Sequence, residues 1–165
     1  MVYRQKDVQL SLNSFEGALG TPLSPDNEWV LLANQMPWHE LEEAYQLAFP
    51  SNLGRAAKPF RLLYGATLIQ QETGLSDRKL VAAVRDTPAY QYFIGLPEYR
   101  AKAPFTFSSL SYFRRRIASI SELLRNIMTD FVRTQLQDEL DRQGLKRKSV
   151  LITDATAVPV AIKYP

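Results

Sequence analysis

From Leu110 onward the apolar residues Leu110, Phe113, Ile117, Ile120, Leu124, Ile127, Phe131, Leu136 and Leu140 return at mostly three- and four-residue intervals. That is the period of a helix burying one side, and it commits this stretch to long amphipathic helix. The serines of Thr106-Phe107-Ser108-Ser109 suit its start and Gly144 its end. At about 1.5 Å per residue such a helix spans on the order of 50 Å, so a kink or break is expected near Ser119 to Ser121. Its first turns carry Arg114-Arg115-Arg116, where a recognition helix presents its N-terminal residues to a groove.

The rest of the chain is divided by proline and glycine. Residues 1–27 hold Gly17, Gly20, Pro22 and Pro25 without a sustained period, and read as an extended N-terminal arm. Ser24-Pro25-Asp26-Asn27 then opens a short helix bearing Trp29, Val30, Leu32 and Ala33, and Pro37 ends it. Trp38, Leu41, Tyr45 and Ala48 form the stripe of a second short helix that stops at Pro50. Pro59 suits the first turn of a helix over about 60–73, burying Leu62, Leu63, Ala66 and Ile69 with Arg61 outward. Gly74 fits its left-handed C-terminal position, and Ser76 fits the N-cap of a helix over about 77–85 with Leu80, Val81 and Val84 apolar. Helix, three-residue glycine turn and helix make the outline of a helix-turn-helix, an outline that many helical hairpins share. A short aromatic segment, Tyr90, Tyr92 and Phe93, closes at Gly95, and a loop through Pro97 and Pro104 leads into the long helix.

The chain changes character near its end. Ser149 to Thr153 and Val158 to Ile162 are β-branched and apolar, and read as two short strands joined around Asp154-Ala155-Thr156. The expected fold is mainly α: a multi-helix domain over 28–145 with helix-turn-helix-like elements, followed by two short C-terminal β-strands over 149–165.

Charge narrows the partners. The net charge of +3 hides an asymmetry: residues 1–50 carry a net of -5 and residues 51–165 a net of +8, with clusters at Arg114 to Arg116 and Lys146 to Lys148. A basic half suits a polyanion, because each cation that neutralises a phosphate releases a condensed counterion; the same charges also suit a solvated helix face. No cysteine is present, which excludes disulfides and thiolate metal sites. No run reaches the roughly 18 apolar residues of a membrane span, and Met1 to Leu12 lacks a signal-peptide core, so a cytoplasmic location is expected. His39 is the sole histidine, which leaves no histidine-rich metal site and makes a surface or structural role the expectation. Trp29 and Trp38 lie in the acidic part and are read as core rather than base-stacking platforms.

Leu151 to Pro165, LITDATAVPVAIKYP, resembles the stretch in insertion-sequence transposases of the InsH type where an aspartate ends the first strand of an RNase H-like catalytic domain. GRAAKPFRLL (Gly54 to Leu63), GLSDRKLV (Gly74 to Val81), YFIGL (Tyr92 to Leu96) and SSLSYFRRR (Ser108 to Arg116) are similar, in the same order, to landmarks of that family's N-terminal domain. The resemblance covers roughly residues 38–165. It implies a DDE-type transposase, in which two Asp and one Glu hold two Mg2+ or Mn2+ ions for attack on a phosphodiester. Asp154 matches the first of these carboxylates and would be a metal ligand once the catalytic domain is complete. The resemblance further implies that the two strands begin an RNase H-like domain left incomplete here, and that this chain alone performs no strand transfer.

On this reading the partner is double-stranded DNA, the terminal inverted repeats of an insertion sequence. The candidate contacts are Arg114, Arg115 and Arg116, then Arg78 and Lys79. Tyr90, Tyr92, Tyr112 and Phe113 are read as packing residues, with a phosphate contact the alternative for Tyr112 beside the arginines. The rival reading is a helical dimerisation or protein-interaction module in which the long helix pairs with a second copy. The same residues would also suit an inhibitory transposase fragment or a decayed remnant.

Overall fold

The computed structural model describes residues 10–15, 20–50 and 57–142. The described residues are mainly helical: α1 (Glu28–Gln35), α2 (Trp38–Ala48), α3 (Phe60–Thr73), α4 (Asp77–Asp86), α5 (Pro88–Phe93), α6 (Phe107–Ile117) and α7 (Ser121–Arg142). The two C-terminal strands, Asp154, Gly144 and the Lys146 to Lys148 cluster lie outside the described residues.

Each boundary has a local cause. Asn27 caps α1, its Oδ1 accepting the Trp29 N–H at 3.0 Å and so satisfying a donor that the helix cannot. Pro37 precedes α2, and the Trp38 indole turns back to donate to the Ala33 carbonyl at 2.9 Å. Pro59 stands just outside α3, at its N-cap, rather than inside the first turn. Gly74 closes α3 in the left-handed region at φ 66°, donating to Gln70 O at 2.8 Å. Ser76 occupies the N-cap position of α4 but makes no side-chain cap bond there; the neighbouring Asp77 turns toward α6 instead.

The hydrophobic centre is α3. Phe60, Ala66 and Ile69 are wholly buried, and so is most of the helix around them. A helix buried nearly all round must be surrounded, and α2, α4, α5 and α6 pack against it. Gly65 allows the α5 end to come close: a Cβ there would lie 3.2 Å from Ile94 Cγ2. Trp29 and Trp38 meet Phe93 edge-on at 5.1 and 5.3 Å between ring centres, packing rather than offering a stacking platform.

Three expectations change. The stretch read as an extended arm contributes a 3-10 turn, Leu12–Phe15, whose Phe15 is buried edge-on against Tyr92 at 5.4 Å. Burying one phenyl ring is enough to override the irregular composition around it. Arg61 turns inward: its Nε donates to Phe93 O at 3.0 Å and its guanidinium lies over the Trp38 ring at 4.6 Å. Burial lowers the Arg61 pKa to about 10, still charged at neutral pH, and its donors reach the Phe93 and Tyr92 carbonyls at the C-terminus of α5. The break expected near Ser119 to Ser121 in the long apolar stripe is a 3-10 turn at Ala118–Ile120, where the Ser121 hydroxyl donates to Ala118 O at 2.9 Å. This break lets α6 bury Leu110 and Phe113 against α3 while α7 buries Leu124 and Met128 beside α2. Arg114 to Arg116 consequently stand in the last turn of a short helix, not the first turns of a long one, where positive charge complements the helix dipole.

Candidate nucleic-acid interface

The five cations picked from the sequence fall on two neighbouring helices and into two kinds of environment. Arg114 is engaged. Its Nη2 donates to Asp77 Oδ2 at 2.6 Å and its Nη1 to Asp77 Oδ1 and Gln70 Oε1, each at 3.1 Å. Gln70 Nε2 completes the set with bonds to Asp77 Oδ1 at 2.7 Å and Leu75 O at 2.9 Å. The hydrogen bonds from Arg114 and Gln70 hold the Asp77 carboxyl below its usual pKa range. Arg116 is also turned inward, its guanidinium over Phe49 at 4.6 Å and Tyr45 at 5.6 Å. Burial pushes the Tyr45 phenol up, with the Arg116 charge acting against that rise.

Arg115, Arg78 and Lys79 are different. All three are exposed and form no ion pair among the described residues. At 3.6 residues per turn Arg115 lies about 100° around α6 from Arg114, so while Arg114 grips Asp77, Arg115 faces solvent. Arg115 covers the Tyr112 ring at 5.0 Å, and Arg78 covers the Phe107 ring at 4.9 Å. Tyr112 and Phe107 are exposed at 67% and 47%. Ser108, Tyr112 and Arg115 follow at i, i+4 and i+7, one exposed stripe on α6. The first turn of α4, with Arg78 and Lys79, adjoins α6 through Phe107, and α6 carries this stripe.

The sequence reading missed Gln70 and Asp77 as partners of Arg114, and Phe107 as the ring beneath Arg78. Helix periodicity places each residue on a face but does not say which faces meet, and Arg114 and Asp77 are 37 positions apart. His39 is exposed near the start of α2. Among the described residues no three His, Asp or Glu gather as a metal site. No helix of the described residues is long and apolar enough to cross a membrane.

The family model described as Transposase domain (DUF772) matches residues 19–116, from just before α1 through the arginine triplet. The Rhizobium meliloti protein described as "Uncharacterized protein ORF8 in nfe locus" is 30% identical over 152 residues, covering 92% of this chain and 70% of that protein. No solved structure matches the chain. The family match spans more than half of the sequence and takes in α1 to α5 and all but the last residue of α6, and on that ground the chain belongs to the transposase domain family.

Proposed function

We propose that the chain binds double-stranded DNA at the terminal inverted repeats of an insertion sequence, as the DNA-binding part of a DDE-type transposase of the InsH type. The observation that carries this reading is the set of three exposed cations without a protein anion among the described residues, Arg78, Lys79 and Arg115, on adjoining helices α4 and α6. In this reading α3 and α4 act as a helix-turn-helix, and the first turn of α4 enters the major groove. Arg78 and Arg115 are held over aromatic rings, which limits the freedom their guanidinium groups lose on contacting a base or phosphate. Asp154 would supply the first of three carboxylates in the complete catalytic domain, where Mg2+ or Mn2+ would activate the attacking oxygen.

A gel-shift titration of the chain against terminal-repeat and unrelated duplexes at several salt concentrations tests the reading. Joint replacement of Arg78, Lys79 and Arg115 by alanine should lower the slope of log affinity against log salt by about 2.7, at roughly 0.9 per lost phosphate contact. An unchanged affinity and slope would remove these residues from the interface. Arg114 and Arg116 are left out of that variant because both have internal partners.

A second reading, self-association through α7, is favoured by Leu136, which remains 52% exposed on a helix whose buried residues, Leu124 and Met128, sit in its first turns. Sedimentation with and without duplex DNA separates the two: a dimer indifferent to DNA and weakened by Leu136→Glu supports self-association.

A further inference from the structure

We propose that Arg114 is a positioning residue that sets the first turn of α4 for DNA, and that it touches no DNA itself. The proposal rests on the DNA-binding reading above. Both oxygens of Asp77 are taken: Oδ2 by Arg114 Nη2 at 2.6 Å, and Oδ1 by Arg114 Nη1 at 3.1 Å and Gln70 Nε2 at 2.7 Å. Gln70 also holds the linker between α3 and α4 through Leu75 O, and its own Oε1 accepts from Arg114. One closed ring of hydrogen bonds thus joins α3, the Gly74 to Ser76 turn, the first residue of α4 and the last turn of α6.

Two consequences follow for a duplex laid on this surface. Asp77 directly precedes Arg78 and Lys79, so an uncompensated carboxylate there would repel the phosphates those residues attract. Arg114 cancels that charge at contact distance. Its planar fork also fixes the orientation of α4 relative to α6, and so the spacing between Arg78 and Arg115. Lysine would cancel the charge without supplying the fork, because a guanidinium bonds a carboxylate through two parallel donors and an ammonium does not. Turning the Nη1–Nη2 fork of Arg114 from Asp77 onto a phosphate would break the ion pair and leave that carboxylate facing the same DNA.

The test uses the full chain with Arg114→Gln, Arg114→Lys, Asp77→Asn and the Asp77→Asn/Arg114→Gln double variant. Amide hydrogen exchange of the free proteins is followed in the first turn of α4, and affinity for terminal-repeat duplex is measured across a salt series. Positioning predicts faster exchange there in both Arg114 variants. It predicts an affinity loss of about tenfold with a salt slope close to that of the wild type, since no phosphate contact is removed. The Arg114→Gln loss should shrink to less than about twofold in the Asp77→Asn background, as residues sharing one network are non-additive. A slope lowered by about 0.9, undiminished loss in the Asp77→Asn background and unchanged exchange would make Arg114 a DNA contact and overturn the proposal alone. A wild-type chain without salt-dependent DNA binding would overturn the DNA-binding reading and this proposal with it.

Discussion

Replacing Gln91 by glutamate is expected to lower the unfolding free energy by about 4 kcal/mol at pH 7, at about 1 to 3 kcal/mol for each buried polar group left without its partner. The side chain is wholly buried. Its Nε2 faces three carbonyl oxygens, Arg100 O at 2.8 Å, Arg85 O at 3.0 Å and Val84 O at 3.1 Å. Its Oε1 accepts the Arg100 N–H at 2.8 Å, which fixes the amide orientation without ambiguity. The amide therefore ties the end of α4, the middle of α5 and the loop toward α6 into one corner. A carboxylate of the same shape would aim negative charge at three negative dipoles. The introduced carboxyl would have a folded-state pKa raised above the unfolded value of about 4.3. Protons are then bound more tightly by the folded form, so the defect is smallest below that value and grows as pH rises toward the folded pKa. Thermal unfolding followed by circular dichroism at pH 4 and pH 7 checks this: the melting temperature should fall by roughly 10 °C or more at pH 7 and by clearly less at pH 4. Equal losses at both values would mean that packing, not the donors, sets the cost.

Gly95→Ala is expected to destabilise the chain by about 3 kcal/mol, from about 1 to 2 kcal/mol of left-handed backbone strain plus a weakened charge-assisted hydrogen bond. Gly95 has φ +84° and closes α5 with a paired set of backbone bonds, Gly95 N to Tyr92 O and Leu96 N to Gln91 O, both at 3.0 Å. A Cβ at this position would meet Arg61 Cδ at 2.9 Å and Nε at 3.0 Å. These atoms are not the loose end of a side chain, since Nε is bonded to Phe93 O and the guanidinium is seated on Trp38. Arg61 has to leave the α5 carbonyls for the methyl group to enter. Urea unfolding should show a lower midpoint with an unchanged slope, and adding Arg61→Ala to Gly95→Ala should cost little more, because the first change has already displaced the arginine. Full additivity would mean that the strain and the arginine act separately.

The features legible in the sequence are those that neighbouring residues determine. The start of α1 at Asn27, the extent of α3, Gly74 in the left-handed region and a break near Ser119 all follow from local propensity and period. The same logic identified Leu80, Val84, Leu110 and Phe113 as inward-facing. What stayed hidden depends on which faces are brought together. Arg61 looks like any exposed charge at the start of a helix until the end of α5 brings its carbonyls, 31 and 32 positions later, to the guanidinium. Gln91 sits unmarked between two tyrosine-bearing positions, and its burial depends on the loop returning at Arg100. Among the arginines the sequence marked a triplet as equivalent. Successive helix positions diverge by about 100°, so the three point to an internal anion, to solvent and to an aromatic pair. A run of identical residues on a helix is a sampling of its circumference, and neighbours rather than identity assign the roles.

The far part of α7 has a mechanical meaning. Its buried anchors are Leu124 and Met128, while the helix continues to Arg142, about 20 Å beyond the second anchor at 1.5 Å per residue. A rod clamped near one end converts a small tilt at the clamp into a large sweep at its tip. A tilt of roughly 10° would move that tip by about 4 Å over such a length. Length also sets bearing: one residue added or removed beyond Met128 would turn whatever the rod carries by about 100° around its axis. Phase along α7 is thus a built-in coordinate, as consequential for the segment attached to it as any contact at its base.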